Sequence, residues 1–120
     1  MKVLIIDDEP GIVIMLSEWL TIKGHEPVGI TRGAYTTSWL QSRHFDLVLT
    51  DIVMPDSDGL LLAYDIVKAG MKVVVMSGLP EDLWVTRALM DGAYDCLPKP
   101  VSLEKLELIL SRLGHTQTNS

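Results

Sequence analysis

The stretch Phe45 to Gly59 reads FDLVLTDIVMPDSDG, and its reading decides the fold. Apolar residues run from Phe45 through Leu47, Val48 and Leu49 into Thr50 and Asp51, after which Pro55 and Gly59 mark a loop. A short, continuous apolar run closed by such signals predicts a strand buried on both faces, with Asp51 at its carboxyl end. In an open parallel sheet that end borders the crevice where ligands bind. A carboxylate there is half out of the core and stays ionised without the full penalty of a buried charge.

The other strands follow the same pattern. Val3 to Ile6 ends in Asp7, Asp8 and Glu9; Lys72 to Met76 ends in Ser77 and Gly78; Tyr94 to Leu97 reaches Pro98, Lys99 and Pro100. Glu26 to Ile30, interrupted by Pro27 and Gly29, reads as an edge strand, where a missing donor is tolerated. Between them, Pro10 opens a helix whose apolar residues Ile12, Met15, Leu16, Trp19 and Leu20 recur at helical spacing, and Gly24 closes it. Further helices are predicted over Gly33 to Arg43, Leu60 to Lys68, Pro80 to Met90 and from Ser102 onward. Asp58 and Ser102 are the expected N-caps, and Gly114 is the expected stop of the last helix.

Five alternations of strand and helix point to parallel strands joined by right-handed crossovers. The predicted fold class is α/β, a doubly wound five-stranded parallel sheet with helices on both faces. The flavodoxin-like order 2-1-3-4-5 is adopted as the common solution for such sheets.

With 120 residues, the chain is long enough for one core and too short for two. A monomeric domain over residues 1–114 is expected, with a polar, frayed tail over 115–120. The net charge of −6, without any Lys or Arg run, excludes a nucleic-acid or anionic-membrane surface within the chain. A single cysteine, Cys96, excludes an internal disulfide framework and fits a reducing compartment. No apolar run spans a membrane and no signal peptide is read at the start, so a cytoplasmic location is expected.

Strand ends thus deliver Asp7, Asp8, Asp51, Ser77 and Lys99 to one edge of the sheet. Three converging carboxylates repel one another unless a cation sits among them. Magnesium suits oxygen ligands combined with a phosphate, whereas no His or Cys spacing argues for zinc. Ser77 and Lys99 are suited to phosphoryl oxygens, and Asp51 to the role of nucleophile in a phosphoryl transfer.

In these residues the chain resembles the response-regulator receiver domain of two-component signalling. The resemblance rests on Asp7 and Asp8, on Asp51 followed by Met54, Pro55, Asp58 and Gly59, on Ser77 with Gly78, on Gly92 with Ala93, and on Lys99 with Pro100. It implies that Asp51 is the phosphoacceptor for a sensor histidine kinase or a phosphotransfer protein. It further implies that Mg2+ (or Mn2+) is held by Asp8 directly, by Asp7 mainly through water, by Asp51 and by the Val53 backbone carbonyl. Ser77 and Lys99 would receive the phosphoryl oxygens, and the Lys99 to Pro100 peptide would be cis.

The same resemblance makes the chain a signalling module rather than an enzyme, with self-phosphorylation and autodephosphorylation as its only chemistry. Its output face would comprise the fourth helix, the last strand and the last helix, about Leu83 to Asp91, Tyr94 to Leu97 and Leu103 to Leu113. Through that face it would engage an effector domain or partner, or form a phosphorylation-dependent dimer.

Two features depart from the family pattern. Cys96 stands where an aromatic commonly partners the switch hydroxyl, so the usual ring rotation is not available in the switch formed by Ser77, Cys96 and Pro100. Val53 and Leu79, two residues beyond Asp51 and Ser77, are apolar, which predicts a water-poor and slowly dephosphorylated site. A phosphatase of the haloacid dehalogenase kind is the enzymatic alternative, but Val53 stands where its second Asp would be. A phosphate-independent interaction module is encouraged by Cys96 and opposed by the intact acidic site. Flavin binding fits the fold, yet acids rather than a phosphate-cradling loop follow the first strand.

Cys96 is expected to be a small buried hydrophobe. Trp19 and Trp39 are expected to be core-facing or partly covered, and His25, His44 and His115 to lie at the surface. Trp84 is open between exposure on the output face and packing within its helix.

Overall fold

The computed structural model describes the backbone of residues 1–31, 40, 43–54 and 57–118, and the side chains of all of these except 54, 57 and 115–118. Most of the helix expected over Gly33 to Arg43, including Trp39, lies outside the described residues, as do Pro55 and Asp56.

The elements are β1 (Lys2–Ile6), α1 (Pro10–Ile22), β2 (Glu26–Ile30), β3 (Leu47–Asp51), α2 (Gly59–Lys68), β4 (Val73–Ser77), α3 (Val85–Met90), β5 (Asp95–Pro98) and α4 (Leu103–Thr118). The five strands form one parallel sheet in the order β2-β1-β3-β4-β5, as expected, with β2 at the edge. Because successive strand residues point to opposite faces, each strand feeds two cores. Val3, Ile5, Leu47 and Leu49 pack with Leu16 and Leu20 of α1 and Leu106 and Ile109 of α4. Leu4, Ile6, Val48 and Val75 pack instead with Leu62 and Ile66 of α2 and with Trp84 and Ala88. β3 and β4 are buried at every position, which is why both read as unbroken apolar runs.

Local signals fix the ends of the elements around the sheet's carboxyl edge. Pro10 occupies the first turn of α1. Asp58 caps α2, its Oδ1 accepting the Leu60 and Leu61 N–H groups at 3.1 and 3.2 Å. Ser102 Oγ accepts the Lys105 N–H at 3.2 Å at the start of α4. Between β3 and α2, Val53–Met54 pairs antiparallel with Ser57–Asp58, a ribbon that ties the loop after Asp51 back on itself. Gly59 is required there, since a Cβ would overlap the Ile52 backbone.

The helix expected over Pro80 to Met90 is divided. A 3-10 turn covers Glu81–Leu83, and α3 begins only at Val85. Trp84, at the break, has φ −146° and ψ −26°, outside helical geometry. α4 also differs, running to Thr118 past the expected stop. Positive φ is found at Gly24, Gly70 and Gly92 and not at Gly114, which therefore does not adopt the left-handed turn that ends a helix. His25 lies half-buried at the surface, its Nδ1 3.1 Å from the Met1 amino group.

Candidate functional site

The carboxyl ends of β1, β3 and β5 meet in a crevice of about 290 Å³ lined by Asp8, Glu9, Asp51, Val53, Gly78, Leu79 and Lys99. Its position follows from the topology, since β1 and β3 are neighbours and the loops that leave them diverge. Asp7 and Asp51 are buried, whereas Glu9 is exposed.

One carboxylate oxygen from each of Asp7, Asp8, Glu9 and Asp51 lies within 4.8 Å of the others. Facing them is Lys99, whose Nζ is 2.8 Å from Asp7 Oδ2, 3.1 Å from Asp51 Oδ2 and 3.3 Å from Glu9 Oε1. One ammonium against four carboxylates leaves an excess of negative charge in a partly dry crevice. Burial alone would lower the Lys99 pKa, but its contacts with Asp7 and Asp51 outweigh that and hold it above the ordinary lysine value. Asp51 is shifted upward, because desolvation outweighs the hydrogen bonds from the Val53 N–H and from Lys99.

Each buried oxygen has a distinct environment. Asp51 Oδ1 accepts the Val53 N–H at 3.0 Å, so the turn after β3 orients the carboxylate. Asp7 Oδ1 accepts the Glu9 N–H at 2.9 Å. Asp7 Oδ2 is buried 2.8 Å from the Lys99 ammonium and, among the described residues, receives no directed hydrogen bond. A buried carboxylate oxygen with acceptor capacity to spare, within reach of three further carboxylates, fits a hard divalent cation that takes oxygen ligands.

The sequence candidates are distributed as follows. Asp7, Asp8, Asp51, Val53 and Lys99 come together at the crevice. Ser77 is fully buried at the end of β4, one residue beyond the Asp51↔Met76 pair, and its Oγ accepts the Leu79 N–H at 3.0 Å. Its carbonyl accepts the Lys99 N–H at 2.8 Å, joining β4 to the lysine-bearing strand. The Lys99–Pro100 peptide bond is cis. Cys96 is buried within β5 in the cluster that holds Trp84, outside the acidic crevice. Glu9 was missed as a site residue; its signal was its place directly after Asp7 and Asp8, ahead of Pro10.

The family model of the response regulator receiver domain matches residues 3–111. The chain is 34% identical over 119 residues to the DNA-binding transcriptional regulator NtrC of Azospirillum brasilense, covering 97% of this chain and 24% of that protein. It is 32% identical over 119 residues to the regulatory protein AtoC of Escherichia coli, covering 98% of this chain and 26% of that one. The chain thus spans about a quarter of the length of these curated relatives. Among solved structures, a two-component response regulator from Clostridium difficile superposes with a TM-score of 0.90 at 28% identity, covering 100% of this chain and 99% of that one.

Proposed function

This chain belongs to the response regulator receiver domain family, a class of signalling modules, and on that premise we propose that Asp51 accepts a phosphoryl group from a phosphohistidine. The donor is a sensor histidine kinase or a phosphotransfer protein. The carrying observation is the convergence of Asp51 with Asp7, Asp8, Glu9 and Lys99 at the ends of three strands. An Asp51 carboxylate oxygen attacks phosphorus, the O–P bond forms, and the N–P bond breaks with its electron pair going to the imidazole. Receiver domains bind Mg2+, and here Asp8, Asp7, Asp51 and the Val53 carbonyl would hold it; when bound, it neutralises charge on the phosphoryl oxygens.

Lys99 then exchanges a carboxylate partner for a phosphoryl oxygen, and the Ser77 hydroxyl supplies a further donor. The module acts in the cytoplasm and turns over no separate substrate. Its state passes to an effector domain or partner through α3, β5 and α4, or through phosphorylation-dependent dimerisation. The excess of acidic residues keeps this part of the protein off nucleic acid.

Intact mass after incubation with acetyl phosphate tests the assignment. The expected result is a gain of one phosphoryl group that requires a divalent cation and is absent in Asp51→Ala. An unchanged mass in the native chain would refute it and give the lead to a phosphate-independent interaction module.

Val53 and Leu79 border the crevice with side chains 51% and 43% exposed, and neither can orient a hydrolytic water. The phosphorylated state is therefore long-lived. Val53→Asn, which adds a donor and an acceptor at the rim, shortens its half-life severalfold as followed by loss of the phosphoryl mass; an unchanged half-life would count against a protective role for the apolar rim.

A further inference from the structure

The segment that a phosphoryl group on Asp51 has to move contains a connection absent from the crevice itself. Trp84 is 1% exposed, the bulkiest fully buried side chain among the described residues, and shares an apolar cluster with Cys96, Val75 and Ala88. It occupies the break between the 3-10 turn Glu81–Leu83 and α3. Its indole Nε1–H donates to the Leu79 carbonyl at 3.1 Å. The Leu79 N–H in turn donates to Ser77 Oγ at 3.0 Å. Two hydrogen bonds through one residue therefore join the carboxyl end of β4 to the start of α3.

We propose that Trp84 is a positioning residue for Ser77 and the buried aromatic through which the state of Asp51 reaches α3. The inference deepens the phosphoacceptor reading and rests on it. The indole holds the Leu79 carbonyl, and the N–H of the same residue, in the preceding peptide unit, donates to Ser77 Oγ. That lone pair is then occupied, and the hydroxyl proton is what Ser77 has left to offer a phosphoryl oxygen.

When Ser77 turns toward a phosphoryl group, Leu79 either follows or forfeits its bond to Oγ. If it follows, its carbonyl moves relative to an indole N–H that lies in an apolar cluster and is costly to leave unpaired. The ring therefore moves with the loop. In a close-packed interior, displacement of so large a group shifts its neighbours, the nearest in sequence being the first turn of α3. Cys96 has too little volume for such a part, and Trp84 supplies that volume from the adjoining element of the same cluster.

The test uses the chain with Trp19→Phe and Trp39→Phe, labelled with 5-fluorotryptophan, so that one fluorine resonance reports Trp84. Beryllofluoride with Mg2+ is expected to shift that resonance, and Asp51→Ala to abolish the shift. Separately, Trp84→Phe keeps most of the ring and removes the N–H donor. Beryllofluoride is expected to alter amide exchange over residues 85–90 in the native chain, with loss of that response in Trp84→Phe while the phosphoryl mass gain at Asp51 persists. A purely structural tryptophan would leave the response intact and change only the baseline.

An unmoved resonance in a chain that gains the phosphoryl mass overturns the relay and spares the phosphoacceptor reading. So does a Trp84→Phe chain with the native exchange response. A native chain that gains no mass overturns both.

Discussion

The acidic crevice and the segment from Ser77 to Trp84 lie at the same edge of the sheet and are held by opposite kinds of force. In the crevice, Lys99 is tied to Asp7, Glu9 and Asp51 by charge, and backbone N–H groups of Glu9 and Val53 fix the two buried carboxylates in place. In the segment, two neutral hydrogen bonds and a close-packed indole do the holding. Leaving a buried neutral donor unpaired costs about 1–3 kcal/mol, whereas removing one partner of a buried ion pair costs about 3–5 kcal/mol. The difference teaches that the crevice is built to stay as it is until charge arrives, and the segment to rearrange at small cost when it does.

The largest expected effect breaks the crevice. Lys99→Ala leaves Asp7 and Asp51 facing each other without a cation, and lowers unfolding stability by about 3–5 kcal/mol in urea titrations without divalent ions. Phosphoryl gain from acetyl phosphate falls below detection in the same variant. Added Mg2+ recovers part of the lost stability, because an ion that binds only the folded chain stabilises it by mass action. A variant as stable as the native chain would mean that the carboxylates are open to water, and the contrast with the segment would disappear.

Trp84→Ala sharpens the comparison by matching that cost without matching its consequence. Truncation of a fully buried tryptophan costs about 3–5 kcal/mol through lost burial and the cavity left behind. The phosphoryl gain at Asp51 persists, since the carboxylates and Lys99 keep their contacts and only Leu79 at the rim loses a partner. Denaturation and intact mass measured on one preparation check both parts. Loss of phosphorylation in a still-folded variant would show that the two regions are one unit.

The same contrast marks what the sequence could tell. Strands in the crevice region are short, buried and continuous, so local apolar runs were enough to locate Asp7, Asp51 and Lys99 at their ends. Asp58 and Ser102 cap their helices by contacts within three residues, which is why sequence reading found them. The break at Trp84 was not legible, because Leu83, Trp84 and Ala88 suit one helical face and the indole bond to Leu79 is tertiary. Gly114 misled for a related reason, since glycine permits the left-handed turn but does not impose it. Glu9 escaped because its link to Lys99 spans 90 residues, and its place after Asp7 and Asp8 does not by itself show that contact.

Cys96 gives the mildest way to compare the regions, through reactivity rather than stability. Burial, reinforced by the Asp95 charge, pushes its thiol up to about 11. For an acid the raised value means that the neutral form dominates through physiological pH, and thiolate grows about tenfold per pH unit until 11 is approached. At pH 8 the reactive fraction is on the order of a hundredfold below that of an ordinary thiol. Iodoacetamide labelling followed by intact mass is therefore expected to be slow in the native chain, to accelerate with pH, and to become fast in urea. Labelling at the rate of an unfolded peptide at pH 8 would mean that the cluster around Trp84 opens readily. Its rearrangement would then be a loosening of the whole face rather than the movement of one ring.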